Sequence, residues 1–75
     1  MKNEVTAYGI LKALKEYGEY GGYCNTHMIA ALANIDTTSE NLRMIKDELY
    51  DFVELGFVRV RMNEYRRQPW FKVIV

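Results

Sequence analysis

The sequence predicts an α+β fold in which three helices are followed by a two-stranded β-hairpin. Apolar residues in the middle of the chain recur with the 3.6-residue period of a helix, and Gly56 ends that pattern. Apolar and basic residues then alternate over residues 58–62, which is the two-residue period of a strand. A polar turn over residues 63–69 and a second extended segment over residues 70–75 complete the hairpin.

Length and composition predict one domain spanning residues 1–75. The chain has 75 residues, of which 49% are apolar. A chain of this length buries only about 60% of the surface that it exposes when unfolded, so it is near the lower size limit for independent folding. No apolar run approaches the roughly 20 residues that span a bilayer, and the first residues lack the apolar core of a signal peptide. We therefore expect a soluble cytoplasmic protein with no membrane partner.

Charge is distributed unevenly along a chain whose formal net charge is zero. Residues 36–56 contain two basic and six acidic side chains, a formal charge of −4. Residues 57–75 contain five basic side chains and one acidic side chain, a formal charge of +4. The hairpin is therefore expected to form a local positive pole on a neutral protein.

The residue types needed for catalysis are nearly absent. Cys24 and His27 are the only cysteine and histidine, and they lie three residues apart at a helix start without a third partner. A lone cysteine forms no internal disulfide, and no Cys/His cluster offers a metal site. The glycines match no nucleotide-binding fingerprint. We expect no enzymatic activity, no catalytic residue, no metal, no cofactor and no small-molecule substrate.

The first helix is predicted over residues 4–17, with Asn3 as its N-cap. Three glycines within residues 18–22 break the helical pattern after it. Tyr23 and Cys24 could then form a short third strand that pairs with the hairpin and stabilises it. The apolar stripe of this helix comprises Ala7, Ile10, Leu11 and Leu14.

The second helix is predicted to begin at Asn25 or Thr26, which are both good caps, and to end near Ala33. The third is predicted over residues 39–55. Possible N-caps precede or begin it, and an apolar stripe runs along one side. The caps are Thr37, Thr38 and Ser39; the stripe comprises Leu42, Ile45, Leu49, Phe52 and Val53.

Two segments carry a resemblance to a known family. Residues 29–35, I-A-A-L-A-N-I, resemble the L-A-x-x-L-G-I signature of the second helix and turn of winged helix-turn-helix transcription regulators. Residues 49–58 resemble the L-x-x-L-x-x-x-G-[FLY]-[IV] junction between the recognition helix and the wing of the same superfamily. The resemblance covers residues 25–75, about two thirds of the chain. One departure is that more residues separate Ile35 from Ile45 than the family pattern allows, so the turn is longer or the third helix starts early.

The resemblance implies a winged-helix fold and sequence-specific binding of double-stranded DNA by a transcription regulator. The third helix would enter the major groove, and the hairpin, or wing, would contact the backbone or the minor groove. Small size, tyrosine content and scarcity of glutamine are also similar to the compact regulators of plasmids and viruses of thermophilic archaea.

The amino-terminal half of the third helix supplies the predicted DNA-reading side chains. Arg43 suits bidentate binding of guanine, and Asn41 suits adenine. The helix N-terminus with Thr38 and Ser39 could hold a phosphate. Side chains suited to backbone contacts are Lys46 and Tyr50.

Acidic residues on the same helix leave a second interpretation open. Glu40 and Asp47 lie three and four residues from Arg43, so they could neutralise it on a solvated surface. The outward acidic face, which also contains Asp51 and Glu54, could instead meet a basic protein partner. The alternative function is therefore a winged-helix protein-interaction module.

The predicted hairpin carries the remaining candidate DNA-binding residues. Arg59 and Arg61 leave one face of the first strand, and the turn contains Tyr65, Arg66 and Arg67. Arginines at such a tip can enter a narrow minor groove. Four or five phosphate contacts predict a slope of log K against log salt of roughly −4 per subunit. The alternative is an edge hairpin whose charges only prevent aggregation.

A homodimer is expected, because a module of this size offers a small footprint and paired half-sites one helical turn apart would raise its affinity. The residues considered for the dimer contact lie on or after the first helix. They are Tyr8, Leu11, Tyr17 and Tyr20.

Overall fold

The computed structural model describes residues 2–18, 22–63 and 68–74. It confirms the α+β class, with three helices followed by a two-stranded antiparallel sheet. Within the described ranges, no helix has the length and apolar character needed to cross a membrane. The elements are α1 (Ala7–Gly18), α2 (Thr26–Leu32), α3 (Ser39–Glu54), β1 (Val58–Asn63) and β2 (Gln68–Val73).

The start of α1 corrects the prediction, because the helix begins at Ala7 and Asn3 does not cap it. The Asn3 backbone N–H donates to the Asn34 carbonyl at 2.7 Å, and its Nδ2 donates to the Ala33 carbonyl at 2.8 Å. Near the observed start, Thr6 Oγ1 accepts a hydrogen bond from Gly9 N at 3.0 Å. The predicted capping role of Asn3 is wrong, because Asn3 hydrogen bonds to the turn after α2, which is distant in sequence.

The other two helices begin at the predicted caps. Asn25 Oδ1 accepts from Met28 N at 2.9 Å at the start of α2, and Thr38 Oγ1 accepts from Asn41 N at 3.1 Å at the start of α3. Each bond satisfies a backbone N–H that has no partner inside its helix. Residues 33–38 separate the two helices, so the turn between them is long.

Gly56 ends α3 as predicted. Its φ is +83°, a left-handed conformation that L side chains rarely adopt. Gly56 N donates to Val53 O at 3.1 Å, and Phe57 N donates to Phe52 O at 3.0 Å. These two bonds form a Schellman motif, which satisfies the last carbonyls of the helix and turns the chain toward β1.

The two strands extend further toward the hairpin turn than predicted, and β2 ends at Val73. The register runs from Val58 opposite Val73 to Asn63 opposite Gln68, so Asn63, Gln68 and Pro69 belong to the strands and not to the turn. The predicted third strand reduces to one antiparallel bridge, in which Cys24 and Phe71 exchange two backbone hydrogen bonds of 2.8 Å. β2 therefore lies between β1 and the segment around Cys24.

One hydrophobic core joins the described elements. Burial of these apolar side chains provides the main favourable contribution to folding. The predicted stripe of α3 is confirmed, with Ile45 and Leu49 fully buried and Leu42, Phe52 and Val53 packed against the core. The other large buried side chains come from α1, α2, both strands, the turn before α3 and the segment before α2. They are Ile10, Leu14, Ile29, Val58, Phe71, Ile35 and Cys24.

Candidate nucleic-acid interface

The first two turns of α3 present an uncovered surface. Ile45 and Leu49 are 0% exposed and hold the helix against the core. On the opposite side, the predicted outward side chains are exposed. The exposed residues here are Ser39, Glu40, Arg43, Met44, Lys46 and Asp47.

Two of the predicted DNA-binding residues also have structural tasks. Thr38 Oγ1 accepts a hydrogen bond from Asn41 N at 3.1 Å, which leaves the hydroxyl proton of Thr38 available to a ligand. Asn41 Nδ2 donates to the Asp36 carbonyl at 3.0 Å and closes the turn before the helix. Bidentate binding of adenine would require the Asn41 amide to leave that bond.

Tyr50 lies where α3 meets the sheet. Its ring centroid is 5.5 Å from that of Phe71, with the ring planes at 83°, an edge-to-face arrangement. The side chain is 37% exposed, so only part of it is open to a ligand. Tyr50 thus packs against the core-facing side of the sheet in addition to its predicted contact with a phosphate.

The charges on α3 remain unpaired within the described residues. Arg43 forms no ion pair there with either Glu40 or Asp47, although the sequence spacing permits both. Asp51 and Glu54 are also exposed along the same helix. Among the described residues, the surface therefore presents exposed cations and exposed carboxylates together, and its chemistry suits either partner considered from the sequence.

Arg59 and Arg61 lie on the same face of β1, as predicted, but that face is turned away from α3. Val58 is 1% exposed and Phe71 is 0% exposed, so both point into the core beside α3. Because side chains alternate across a strand, both arginines leave the opposite side of the sheet. The structure therefore does not bring these arginines onto the surface that presents Arg43.

Sequence reasoning missed a cluster on that outer face. In the strand register, Lys72 is directly opposite Arg59, and Trp70 is directly opposite Arg61. The Lys72 Nζ lies 5.9 Å from the centroid of the Tyr23 ring. The alternation of residues 70–73 indicates that Trp70 and Lys72 share a face of β2. Only the cross-strand register shows that this face is the one that carries Arg59 and Arg61.

Three predicted site residues, Tyr65, Arg66 and Arg67, lie outside the described residues. Contact of these three side chains with DNA stays a prediction.

The thiol of Cys24 is buried and protonated in the folded chain. Its side chain is 0% exposed, and desolvation by burial raises the pKa of its thiol to about 12. A protonated thiol is a poor nucleophile and a poor metal ligand. Within the described residues, no group of three His, Cys, Asp or Glu side chains is placed to hold a metal ion.

Comparison of the chain with protein-family models, curated proteins and solved structures gave no match.

Proposed function

We propose that the chain is a sequence-specific double-stranded DNA-binding protein of winged-helix type that acts as a transcription regulator. The observation that carries the proposal is the free amino-terminal half of α3. Ile45 and Leu49 fix the helix to the core, while Ser39, Arg43 and Lys46 are exposed over its first two turns. A helix held in this way can enter a major groove with its N-terminal side chains toward the bases.

In this proposal the two cations of α3 have different roles. Arg43 binds guanine through its planar fork of donors. Lys46 contacts a backbone phosphate, and the start of the helix around Thr38 and Ser39 holds another. The predicted wing contributes Arg66 and Arg67 at its turn. Arg59 and Arg61 reach phosphates of the same duplex only where it curves around the sheet, since their face is turned away from α3.

The proposed regulator acts as a homodimer on paired half-sites. Tyr8 is 76% exposed on α1, and Leu11 is half-buried beside it. These two residues are better placed for a dimer contact than Tyr17, which packs against the core. Tyr20 lies outside the described residues. Sedimentation of the chain and of the Tyr8→Ala variant measures this contact directly.

Selection of bound duplexes from a random pool tests the main proposal. We expect one enriched motif. Arg43→Ala should weaken binding to that motif by about 1–3 kcal/mol and relax one position of it. Lys46→Ala should weaken binding evenly across sequences and reduce the salt slope by about 1. Lys15→Ala removes an equal charge from α1 and is the control. An unenriched pool, or equal losses in all three variants, would reject the proposal.

The wing is tested separately by the double variant Arg66→Ala with Arg67→Ala. If these side chains contact DNA, retention on duplex DNA or heparin should be lost at a lower salt concentration than for the parent chain. Unchanged retention would remove the wing from the interface and leave the α3 contact standing.

A second candidate function is a protein-interaction module with a basic partner. The exposed carboxylates of α3 favour it, because Glu40, Asp47, Asp51 and Glu54 carry no ion pair within the described residues. Replacing Asp47 and Asp51 with asparagine separates the two functions. These changes should strengthen DNA binding by removing repulsion from phosphate, whereas they should weaken binding to a basic protein.

A further inference from the structure

The outer face of the sheet combines aromatic rings with cations. It comprises the side chains that leave the sheet on the side opposite the core. It also includes Phe57, which precedes β1, and Ile74, which follows β2. Alternation along β1 and β2 and the bridge between Cys24 and Phe71 place these residues on one side. They are Tyr23, Phe57, Arg59, Arg61, Trp70, Lys72 and Ile74.

Among the described residues, no carboxylate compensates the positive charge on this outer face. Arg59 and Lys72 are directly opposite each other in the register, an arrangement in which like charges destabilise a sheet. Neither side chain forms an ion pair within the described part of the chain, and the outer face has no carboxylate among its described residues. Arg61 adds a third positive charge two residues along β1. A bound polyanion would relieve the repulsion between these groups.

Arg59 and Lys72 also lie beside a small cavity. Tyr23, Arg59 and Lys72, with Val73 and Ile74, line a shallow cavity of about 180 Å³. The Lys72 ammonium lies over the Tyr23 ring at 5.9 Å from its centroid, an attractive cation–π contact that restrains the lysine. The opening therefore has two cations and a phenol at its walls, a combination that suits a phosphate group.

An exposed apolar pair lies next to this cavity. Phe57 is 47% exposed and Ile74 is 49% exposed, and the Ile74 N–H donates to the Phe57 carbonyl at 3.0 Å. A DNA duplex presents phosphates and groove edges, so its stacked bases would leave this ring in water. An unpaired base can instead stack on an aromatic ring while neighbouring cations hold its phosphates.

We propose that the outer face of the sheet binds single-stranded nucleic acid. Arg59 and Lys72 bind a phosphate at the cavity, and Arg61 binds the next phosphate of the nucleic acid. Phe57 stacks against a base. This site goes beyond the proposed regulator function and does not depend on it, because α3 lies on the other side of the sheet.

Trp70 provides a local signal for the test, because it is the only tryptophan of the chain and lies on the outer face. The intact chain is titrated with single-stranded oligothymidylate and, separately, with a duplex of equal length. We expect the single strand to change the fluorescence emission of Trp70. We also expect it to bind this face more tightly than the duplex does. Replacing Arg59 and Lys72 together with alanine should weaken that binding by about tenfold or more. Phe57→Ala should weaken it by about fivefold or more, because a stacking partner is lost.

The control variant replaces Lys12 and Lys15 on α1 with alanine, which removes the same charge elsewhere. Single-strand affinity in this variant should stay within about twofold of the parent value, because long-range charge is screened by salt. Far-UV circular dichroism checks that each variant folds. If the alanine double variant does not fold, replacement of Arg59 and Lys72 with glutamine removes the charges and keeps most of each side chain.

Three results would overturn the inference. They are an unchanged Trp70 emission, an equal loss of affinity in the α1 control, and a duplex that binds this face as tightly as the single strand. The α3 variant Arg43→Ala separates the two proposals. It should weaken duplex binding and leave the single-strand titration unchanged, so either function can fail without the other.

Discussion

Tyr50 of α3 meets Phe71 of β2 edge to face, with ring centroids 5.5 Å apart. Phe71 also exchanges two backbone hydrogen bonds with Cys24 and lies opposite Val60 in the strand pair. One buried residue therefore connects the long helix, both strands and the segment before α2. This connection fixes which face of the sheet is turned toward α3 and which is left to solvent.

Loss of the Phe71 ring should be among the most damaging single changes. Phe71→Ala leaves a cavity where all these elements meet, and we expect it to reduce the free energy of unfolding by about 3–5 kcal/mol. Urea unfolding followed by circular dichroism measures the change. Lys12→Ala, at an exposed side chain of α1, should cost less than about 0.5 kcal/mol. Similar losses in the two variants would contradict the central position of Phe71.

Tyr50 allows packing and DNA contact to be separated by one hydroxyl group. Tyr50→Phe keeps the ring against Phe71 and should change stability by less than about 0.5 kcal/mol. Tyr50→Ala removes the ring and should cost more than 1 kcal/mol, on the order of the loss from a partly buried aromatic contact. If the hydroxyl binds phosphate, Tyr50→Phe should also weaken duplex binding in a gel-shift titration. Equal affinities would leave Tyr50 with only its packing role.

Thr38 should stabilise α3 through its cap. Thr38→Ala removes the acceptor for the Asn41 N–H, so we expect it to reduce the free energy of unfolding by about 1 kcal/mol. Thr37→Ala is the matched control, because Thr37 is exposed and forms no side-chain hydrogen bond within the described residues. Thermal unfolding of both variants distinguishes a capping contribution from a general effect of losing a threonine.

Gly56 should resist substitution because of its backbone conformation. A Cβ at Gly56 would meet no atom within 4 Å, so crowding adds nothing to the cost of a side chain. Gly56→Ala should therefore reduce stability by roughly 1–2 kcal/mol through the left-handed φ alone. Gly56→Asn should cost less, since asparagine tolerates this region better. An alanine variant as stable as the parent, or an asparagine variant less stable than alanine, would contradict the backbone explanation.

Cys24 should make stability depend on pH in the alkaline range. Burial raises the pKa of its thiol from 9.0 to about 12, so above pH 9 the unfolded thiol ionises while the folded thiol stays protonated. Its contribution to stability is complete below pH 9 and is lost as the pH rises toward 12. The difference in unfolding free energy between the parent and Cys24→Ala should therefore fall by about 1 kcal/mol per pH unit in this window.

The same burial predicts slow chemical modification of Cys24. At pH 8 a thiol reagent should react with the folded chain on the order of 100-fold more slowly than with the chain in urea, because the thiol is both protonated and inaccessible. Stopped-flow absorbance with a disulfide reagent follows both rates. Comparable rates would place Cys24 outside the core.

Residues close in the chain explain most of the correct predictions. The 3.6-residue stripe of Ile45 and Leu49 predicted the buried side of α3. Gly56 marked its end, and the observed cap Thr38 was one of three candidates for its start. Caps and left-handed glycines act within about four residues, so they are readable from the sequence alone. The start of α1 failed for the converse reason, since Asn3 hydrogen bonds to residues about thirty positions away.

The sequence by itself determined the three helices, the change to strand after Gly56, and the alternation that places Arg59 and Arg61 on one face. Only the tertiary structure decided that this face is turned away from α3, and that Lys72 and Tyr23 join it. The physical reason is that alternation predicts a buried apolar face and an exposed basic face, but does not say which helix the buried face packs against. Packing of Phe71 against α3 makes that choice, and with it separates the cations of the sheet from those of α3.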